Sequence, residues 1–380
     1  MKQKLGDLIF INPKMQLKRE IVARKIAMDD LKPFSRDVNS YSYSKYTGGT
    51  KFKNGDTLLA RITPCLENGK TAFVDMLNDN EVAFGSTEYW VLRPKDARIM
   101  PYYLYYLSVS PGFRKAMIKS MTGTSGRQRV PKTAVEEFNF NLPSIEVQQK
   151  IAHSLKILDD KIALNNKINA NLFRYGLLSI THLIEEKHIK KIKISDLDLI
   201  VSDHVANGSF KALKQNVNYF DSKNYALFLR NVDFKKNLNG NLKYIDKSSY
   251  NFLKKSHLFG GEVVISNVAD VGSVHRVPHF NTHMVVGNNQ IFLKSKDYRL
   301  TDYLYLYFKS RYGQHDIETI TSGSAQQKFN KTDFRSLRIP IINLTIVKEQ
   351  FSPILKEIDS LKLENKILNN LKSELLSHLF

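Results

Sequence analysis

Three short groups of residues in this sequence have types and spacing that could hold a ligand. Gly69-Lys70-Thr71 resembles the end of a phosphate-binding loop, but Pro64 stands where the first glycine of such a loop belongs. The residues after the lysine predict a strand, so no helix N-terminus would face a phosphate. We therefore interpret Lys70 as a turn residue or as a contact to a phosphate group of a ligand.

The second group consists of histidines. His275, His279 and His283 are spaced four apart, which on a helix would align three imidazoles for a metal ion. Pro278 breaks such a helix, and no cysteine or acidic residue stands among the histidines. We expect no metal site, and we interpret His275 with Arg276 as part of a loop that faces a ligand or of a solvated loop.

The third group is acidic. Glu185-Glu186-Lys187 and Glu364-Asn365-Lys366 resemble fragments of metal-nuclease motifs, but both fall in helical segments without a partner carboxylate on a strand. The sequence also lacks a glycine-rich methyl-donor loop and an Asn-Pro-Pro-aromatic motif for adenine methylation. We therefore predict a non-catalytic chain that binds no cofactor itself. A fused nuclease or methyltransferase is the alternative that these missing motifs disfavour.

The charge balance favours a polyanionic partner. The chain has 57 Lys and Arg against 37 Asp and Glu, a formal net charge of +20, and such an excess attracts nucleic acid. It shows no apolar signal segment and no run of apolar residues long enough to span a membrane, so we expect a soluble cytoplasmic protein. The single cysteine, Cys65, excludes an internal disulfide and a cysteine-based zinc cluster. A scaffold that binds acidic proteins is the alternative that fits the charge equally well.

Polar loops supply the candidates for reading DNA, because bases are distinguished by the donors and acceptors at their edges. The glycines of segment 123–129 allow a close approach of the backbone, and Arg127 or Gln128 could make two hydrogen bonds to guanine or adenine. The alternative is a structural loop that ties a domain to its helix. The candidates for DNA contact are Ser42, Tyr43, Ser44, Lys45, Arg61, Thr63, Lys70, Thr124, Ser125, Arg127, Gln128, Arg129, Ser209, Lys211, Lys214, Asn267, His275, Arg276, Ser324, Gln326, Gln327 and Lys328.

The chain contains an internal repeat with an offset of about 200 residues. Tyr103-Leu104-Tyr105-Tyr106-Leu107 returns as Tyr303-Leu304-Tyr305-Leu306-Tyr307, and Asn166-Lys167-Ile168 returns as Asn365-Lys366-Ile367. The front of each half differs almost completely from that of the other. We therefore expect two similar domains, each with a variable front that reads its own target and a shared back with a structural role.

Each half ends in a segment of helical periodicity, in which apolar residues recur seven apart. At 1.5 Å per residue the two helices would extend for about 54 to 65 Å. An apolar row on each helix needs a partner, so we expect an antiparallel coiled coil with Asn165 and Asn365 fixing its register. Two unrelated surface helices are the alternative. The candidates for helix pairing are Ile151, Leu155, Leu158, Ile162, Asn165, Leu172, Val347, Ile354, Ile358, Leu361, Asn365, Leu368 and Leu375.

In the order of these elements the sequence resembles the specificity subunits of type I restriction-modification systems. The resemblance rests on four segments that recur in the second half, namely Gly55 to Arg61, Gly85 to Pro94, the loop from Gly123 to Val130, and Leu142-Pro143 running into Glu146 to Ile151. In the second half Asn288-Asn289-Gln290 replaces Ser86-Thr87-Glu88, so a DNA contact inferred in one half cannot be assumed in the other.

This resemblance implies both a fold and a function. The predicted fold class is α+β: two target-recognition domains of mixed sheet and helices, at residues 1–144 and 189–343, joined by coiled-coil spacers at 145–188 and 344–380 and related by a pseudo-twofold axis. Each domain would read one part of a split site in double-stranded DNA. The implied partners are two modification subunits that methylate adenine with S-adenosylmethionine and, through them, restriction subunits that use ATP and Mg²⁺.

Overall fold

The computed structural model describes residues 2–38, 40–186, 189–238, 240–323 and 326–380. These residues divide into two compact units, of which unit 1 comprises residues 1–167 with 362–380 and unit 2 comprises residues 168–361. Each unit holds one globular domain of sheets and helices. Each unit also contains part of both long helices. The boundaries expected from the sequence placed each long helix in a segment of its own. The predicted two-domain α+β fold class is confirmed.

The two long helices are the central helix, Ile145–Glu186, and the C-terminal helix, Ser352–Leu379. The C-terminal helix follows a short helix, Leu344–Ile346, and a π-helical turn, Val347–Phe351. Pro353 lies at the start of the regular helix and cannot donate a backbone hydrogen bond to the preceding turn, which accounts for a break in the α-helical pattern here.

Unit 1 contains two four-stranded sheets and a two-stranded one. The strands of one larger sheet stand in the order Ile9–Ile11, Tyr89–Pro94, Thr57–Ala60 and Thr71–Phe73, all antiparallel. Those of the other stand in the order Ser42–Lys45, Val22–Ile26, Ala83–Gly85 and Thr50–Phe52, with one parallel pair in the middle. The remaining elements of unit 1 are the paired strands Lys2–Lys4 and Asn139–Asn141, the α-helices Pro101–Val109, Pro111–Lys119 and Lys132–Glu136, and the 3₁₀ helices Leu5–Asp7 and Met28–Asp30.

Unit 2 repeats this topology with one additional edge strand, Tyr219–Phe220. One sheet has the order Ile200–Asp203, Gln290–Lys294, Val263–Ser266 and Val274–Arg276. The other has the order Tyr219–Phe220, Lys243–Ile245, Ala226–Leu229, His283–Val286 and His257–Leu258, again with one parallel pair. The remaining elements of unit 2 are the paired strands Lys191–Lys193 and Arg338–Pro340, the α-helices Phe210–Asn216, Asn231–Lys235, Lys247–Phe252, Tyr298–Lys309, Arg311–Thr319 and Lys331–Ser336, and the 3₁₀ helices Ile194–Asp196, His204–Asn207 and Lys254–Ser256.

The repeated Tyr-Leu segment forms the centre of each core. In unit 1 Tyr103 to Leu107 are buried between the antiparallel sheet and the long helices, where they share a cluster with Leu59 of the sheet and Leu155 of the central helix. In unit 2 Tyr303 to Phe308 occupy the equivalent place. A helix that packs against a sheet on one side and a helix on the other needs apolar residues around most of its circumference. This requirement explains why the motif stands out in both halves.

The long helices pair antiparallel within unit 1. Leu155 and Leu376 share a core cluster, while Asn165 Nδ2 donates to Asn365 Oδ1 at 3.0 Å. Between these contacts, Lys372 Nζ lies 2.5 Å from Asp159 Oδ1. Residue numbers therefore increase along one helix where they decrease along the other, so the two helices are antiparallel. The polar layer expected at Asn165 and Asn365 is present.

The residues expected to pair the helices differ in how deeply they are buried. The fully buried ones are Ile151, Leu155, Asn165, Val347, Ile358, Leu361 and Asn365, and the half-buried ones are Leu158, Ile162, Leu172, Ile354, Leu368 and Leu375. Sequence reasoning missed the charged pair of Asp159 and Lys372, whose side chains are only 7% and 8% exposed. It also missed Leu376, which is buried beside the half-buried Leu375.

Candidate nucleic-acid interface

In unit 1 the polar loop 122–130 is fixed to the residues that follow the strand Thr57–Ala60. Thr63 N–H donates to the Gln128 carbonyl at 2.9 Å, and Val130 N–H donates to the Arg61 carbonyl at 2.8 Å. Gly123 has a φ of 126°, and a Cβ there would lie 3.2 Å from the Arg127 carbonyl oxygen, so a side chain would strain this tight turn. The loop thereby holds its exposed tip, Thr124 to Arg127, above the sheet.

A carboxylate joins two of the predicted arginines beside this loop. Glu88 Oε1 lies 2.6 Å from Arg129 Nη2, and Glu88 Oε2 lies 3.1 Å from Arg61 Nε. The hydrogen bond from Arg129 lowers the pKa of Glu88 most, Arg61 adds to the effect, and partial burial opposes it. The Arg61 guanidinium also lies 4.4 Å from the centre of the Trp90 ring.

The structure thus brings one set of predicted residues into a single surface patch. We call it the unit 1 loop site, and its predicted members are Arg61, Thr63, Thr124, Ser125, Arg127, Gln128 and Arg129. Arg61 and Arg129 are partly engaged by Glu88, whereas Arg127 is exposed at the tip. Sequence reasoning gave no role to Glu88 and Trp90, because nothing in the primary sequence shows which residues of neighbouring strands face each other.

Unit 2 builds the same loop arrangement from different side chains. Ala269 N–H donates to the Gln327 carbonyl at 3.0 Å, and Phe329 N–H donates to the Asn267 carbonyl at 3.1 Å. The side chains of Gln326, Gln327 and Lys328 are exposed, and we call this patch the unit 2 loop site. The predicted Ser324 lies outside the described residues.

The two loop sites also hold one equivalent carbonyl in different ways. Trp90 Nε1 donates to the Val130 carbonyl at 3.0 Å in unit 1, while Asn267 Nδ2 donates to the Phe329 carbonyl at 3.2 Å in unit 2. The backbone arrangement is therefore kept while the exposed donors change from arginine to glutamine and lysine. Such a pair of surfaces can present different hydrogen-bond patterns on one scaffold.

Other predicted residues lie elsewhere in unit 1. Ser42 to Lys45 form an edge strand, where Tyr43 is 63% exposed and accepts a hydrogen bond from Arg24 at 3.3 Å. Lys70 Nζ donates to the Met28 carbonyl at 2.9 Å and lies 3.0 Å from Asp29 Oδ1. Lys70 therefore has a structural role, since these partners occupy the end of a side chain that is only 16% exposed, and its contact to a DNA phosphate stays a prediction.

In unit 2 Arg276 is also committed to structure. Its side chain is 13% exposed, and its guanidinium lies 2.9 Å from Asp302 Oδ1 and forms a second ion pair with Asp359. His275 Nε2 lies 2.9 Å from Ser273 Oγ and 3.0 Å from Asn231 Oδ1. Both residues lie on the strand Val274–Arg276, so the expectation of a loop is wrong, and its two ion pairs give Arg276 a structural role.

The remaining candidates of unit 2 lie on the helix Phe210–Asn216. Ser209 caps this helix by accepting from Ala212 N–H at 3.3 Å. Lys211 and Lys214 are exposed, as is Phe210 with 83% of its surface. These lysines are free to meet a polyanion.

Two classes of site find no support in the geometry. Within the described ranges, no cluster of three or more His, Cys, Asp or Glu residues could bind a metal ion. His275 and His283 lie on different strands, with His279 between them against Gly260. No helix in the part of the chain that the structure describes is long and apolar enough to cross a membrane.

Comparisons with known proteins identify the family. Residues 2–174 and 209–373 match the family model described as the type I restriction modification DNA specificity domain. The chain is 39% identical over 104 residues to the specificity subunit of the type I restriction enzyme EcoAI of Escherichia coli, a match that covers 27% of this chain and 18% of that protein. It is 36% identical over 123 residues to the HindI specificity subunit of Haemophilus influenzae, covering 32% and 26% of the two chains.

These matches therefore cover only about a fifth to a quarter of the length of these two relatives. Among solved structures, the S subunit of a type I restriction-modification system from M. genitalium matches with a TM-score of 0.59 at 15% identity, covering 100% of this chain and 96% of that one. At this identity the structural likeness establishes a shared fold.

Proposed function

The chain belongs to the family of type I restriction-modification DNA specificity domains, and from that membership we propose that it reads a bipartite site in double-stranded DNA. Each unit recognises one part of the site through its loop site together with residues of its variable front. The observation that carries this proposal is the repeated loop arrangement, in which equivalent backbone hydrogen bonds support different exposed donors in the two units. Base edges in the major groove are distinguished by such donors.

The chain supplies recognition in this proposal, and its partners supply the chemistry. It would assemble with two modification subunits that methylate adenine with S-adenosylmethionine, and through them with restriction subunits that use ATP and Mg²⁺. The paired long helices would set the unread gap between the two half-sites. Because its target is genomic DNA, we also propose the bacterial or archaeal cytoplasm as its location. The net charge of +20 supports DNA as the partner.

Sequencing of methylated adenines in cells with and without this chain tests the proposal. We expect methylation at a two-part motif with a fixed gap, and we expect it to disappear when the chain is deleted and to return with a plasmid copy. An unchanged pattern of methylation would contradict the proposal. A gel shift of the assembled complex on duplex DNA separates DNA recognition from the alternative of an acidic-protein scaffold, which family membership does not support.

A further inference from the structure

Unit 2 contains a basic groove with a volume of about 520 Å³. Its cations come from three separate segments: the 3₁₀ helix Lys254–Ser256, the end of the strand Gln290–Lys294 and the helix Lys331–Ser336. Among the described residues that line the groove, none is acidic. The cations are Lys254, Lys255, Lys294, Lys331 and Arg335.

Most of this positive charge is not neutralised. Lys331 Nζ lies 2.8 Å from Asp203 Oδ1, which also accepts from Ala206 N–H at 2.8 Å. The other four cations form no ion pair with any carboxylate of the described residues. Clustered cations repel each other, and an anion that enters the groove would relieve this repulsion.

The walls of the groove are fixed by hydrogen bonds. Arg335 Nη2 donates to the Val201 carbonyl at 2.5 Å, which holds the guanidinium at the rim. On the opposite side the buried Glu262 accepts from Phe259 N–H at 2.9 Å and from Gly260 N–H at 2.8 Å. The Phe259 ring is 59% exposed, and Lys294 Nζ lies 4.0 Å from its centre. The positive charges are therefore presented on a shaped surface.

His257 contributes little charge to the groove at neutral pH. Its ring stacks on Tyr250 with centres 3.8 Å apart, and its Nε2 lies 2.8 Å from the Tyr250 carbonyl. Burial lowers the pKa of His257 most, the hydrogen bond with the Tyr250 carbonyl opposes this effect, and nearby cations, above all Lys294, lower the pKa further. The positive charge of the groove therefore comes from its lysines and its arginine.

The groove is not a by-product of the repeated scaffold. The helix Lys331–Ser336 corresponds to the helix Lys132–Glu136 of unit 1, since Lys331-Thr332 matches Lys132-Thr133. In unit 1 Lys132 Nζ lies 3.0 Å from Glu136 Oε1. In unit 2 Arg335 occupies the position of that glutamate. One copy thus neutralises its lysine within the helix, while the other adds a second cation.

We propose that the basic groove of unit 2 binds phosphates of the DNA backbone, independently of base sequence, beside the half-site that unit 2 reads. The proposal rests on the proposed function, because it takes duplex DNA as the ligand. Lysine ammonium groups and an arginine fork are the usual partners of phosphate oxygens. A row of phosphodiesters also supplies repeated negative charges that match cations drawn from separate segments.

The test compares charge-removing variants in the assembled complex. Lys255→Gln with Lys294→Gln removes two groove charges without touching Lys331 or Arg335, which hold other elements. The matched control is Lys223→Gln with Lys236→Gln, two exposed lysines of unit 2 that do not line the groove. Affinity for a target duplex and for a random duplex is measured from about 50 to 200 mM salt, a range over which binding through phosphates weakens strongly.

We expect the groove variant to lose affinity for both duplexes by the same factor. The slope of log affinity against log salt should become shallower by about 0.9 for each phosphate that the variant groove no longer neutralises. The control should retain the wild-type slope. Thermal unfolding should show a folded protein in both variants, because the altered side chains are at the surface.

Three results would overturn the inference. The first is an unchanged slope in the groove variant, and the second is a loss restricted to the target duplex. The third is a smaller mass of the complex with an unchanged slope, which would show that the groove binds an acidic surface of a partner protein and not DNA. In each of these cases wild-type DNA binding persists, so the proposed function stands. Absence of DNA binding by the wild-type complex would instead contradict the proposed function.

Discussion

Glu88 illustrates what the sequence could not reveal at the scale of single residues. It is 27 positions from Arg61 and 41 from Arg129 along the chain, yet it forms ion pairs with both. The antiparallel register that aligns Ala60 with Tyr89 creates this contact. Residue types alone indicated which arginines could contact a ligand. Strand register decides which of these arginines form ion pairs within the protein and which remain exposed to a ligand.

Replacing Glu88 by glutamine should lower the free energy of unfolding of unit 1 by about 1 kcal/mol at pH 7, because two partly exposed arginines lose their carboxylate. The pKa of Glu88 is lowered in the folded state, so its contribution is complete above the unfolded pKa and disappears as pH falls through the folded value. Denaturant unfolding at several pH values checks this. The difference from wild type should begin to shrink as pH falls below about 4.3, the ordinary pKa of glutamate, and should continue to shrink at lower pH. A difference that grows at acid pH would contradict this. Glu67→Gln, at an exposed position, is the control.

Arg276 shows how a plausible base reader can be a structural residue. Arg276→Met should destabilise unit 2 by about 3–5 kcal/mol, because Asp302, only 2% exposed, would be left buried without its cation. Adding Asp302→Asn should recover much of this loss, since a neutral amide needs no counter-ion. Thermal unfolding of the two variants is the measurement. A change in half-site preference without loss of stability would show that Arg276 reads DNA after all.

At the scale of elements, the heptad pattern predicted the two long helices but not every buried position between them. The expected row includes Leu368 and Leu375, whereas the structure buries Lys372 and Leu376. A straight α-helix drifts by about 20° per heptad from an exact seven-residue repeat, so the buried face moves along the helix. The π-helical turn Val347–Phe351 shifts the phase further. A lysine on that face could not be predicted from hydrophobicity.

The pair of Asp159 and Lys372 gives a prediction for the helix pair of unit 1. Tyr106 donates to Asp159 Oδ2 at 2.9 Å, so the carboxylate is enclosed by both partners. Lys372→Met should cost about 3–5 kcal/mol, because an uncompensated carboxylate remains buried, whereas Asp159→Leu with Lys372→Met should restore most of the stability. Unfolding of the single and double variants forms a double-mutant cycle.

The matched control for this cycle is Lys161→Met. Lys161 Nζ lies 3.3 Å from Glu364 Oε1, but the two side chains are 43% and 41% exposed. Its loss should therefore cost less than about 1 kcal/mol. A double variant as unstable as Lys372→Met would show that the pair does more than neutralise a buried charge.

The strands were predicted unevenly, for a physical reason. Apolar runs such as Thr57–Ala60 and Val263–Ser266 are buried on both faces, and short apolar runs of this kind predict strands. The edge strand Ser42–Lys45 is mostly exposed and polar, and its sequence predicted DNA contacts but no strand. Edge strands have little apolar surface to bury, so their sequences carry a weak signal.

At the scale of the whole chain, the repeat extends further than the sequence indicates. The fronts of the two halves differ almost completely in sequence, yet the parallel pair Val22–Ile26 with Ala83–Gly85 in unit 1 has its counterpart in Ala226–Leu229 with His283–Val286 in unit 2. Strand order depends on backbone hydrogen bonds and on which faces are buried, both of which tolerate many side chains. The two units are therefore versions of one scaffold with different surfaces.

Two such surfaces should act independently on DNA. Arg127→Ala in unit 1 should relax the sequence requirement at one half-site, and Gln327→Ala in unit 2 should relax it at the other, each by about 1–3 kcal/mol of discrimination. The double variant should show the product of the two effects, because the residues belong to separate units without shared partners. Methylation sequencing of a library with both half-sites randomised, carried out with the complete complex, measures all three variants.

Arg98→Ala, at an exposed arginine outside the loop site, should leave both requirements unchanged. An equal loss of methylation at every sequence would show that Arg127 contacts a phosphate and not a base. Relaxed sequence requirements at both half-sites after a single substitution would contradict independent reading by the two units.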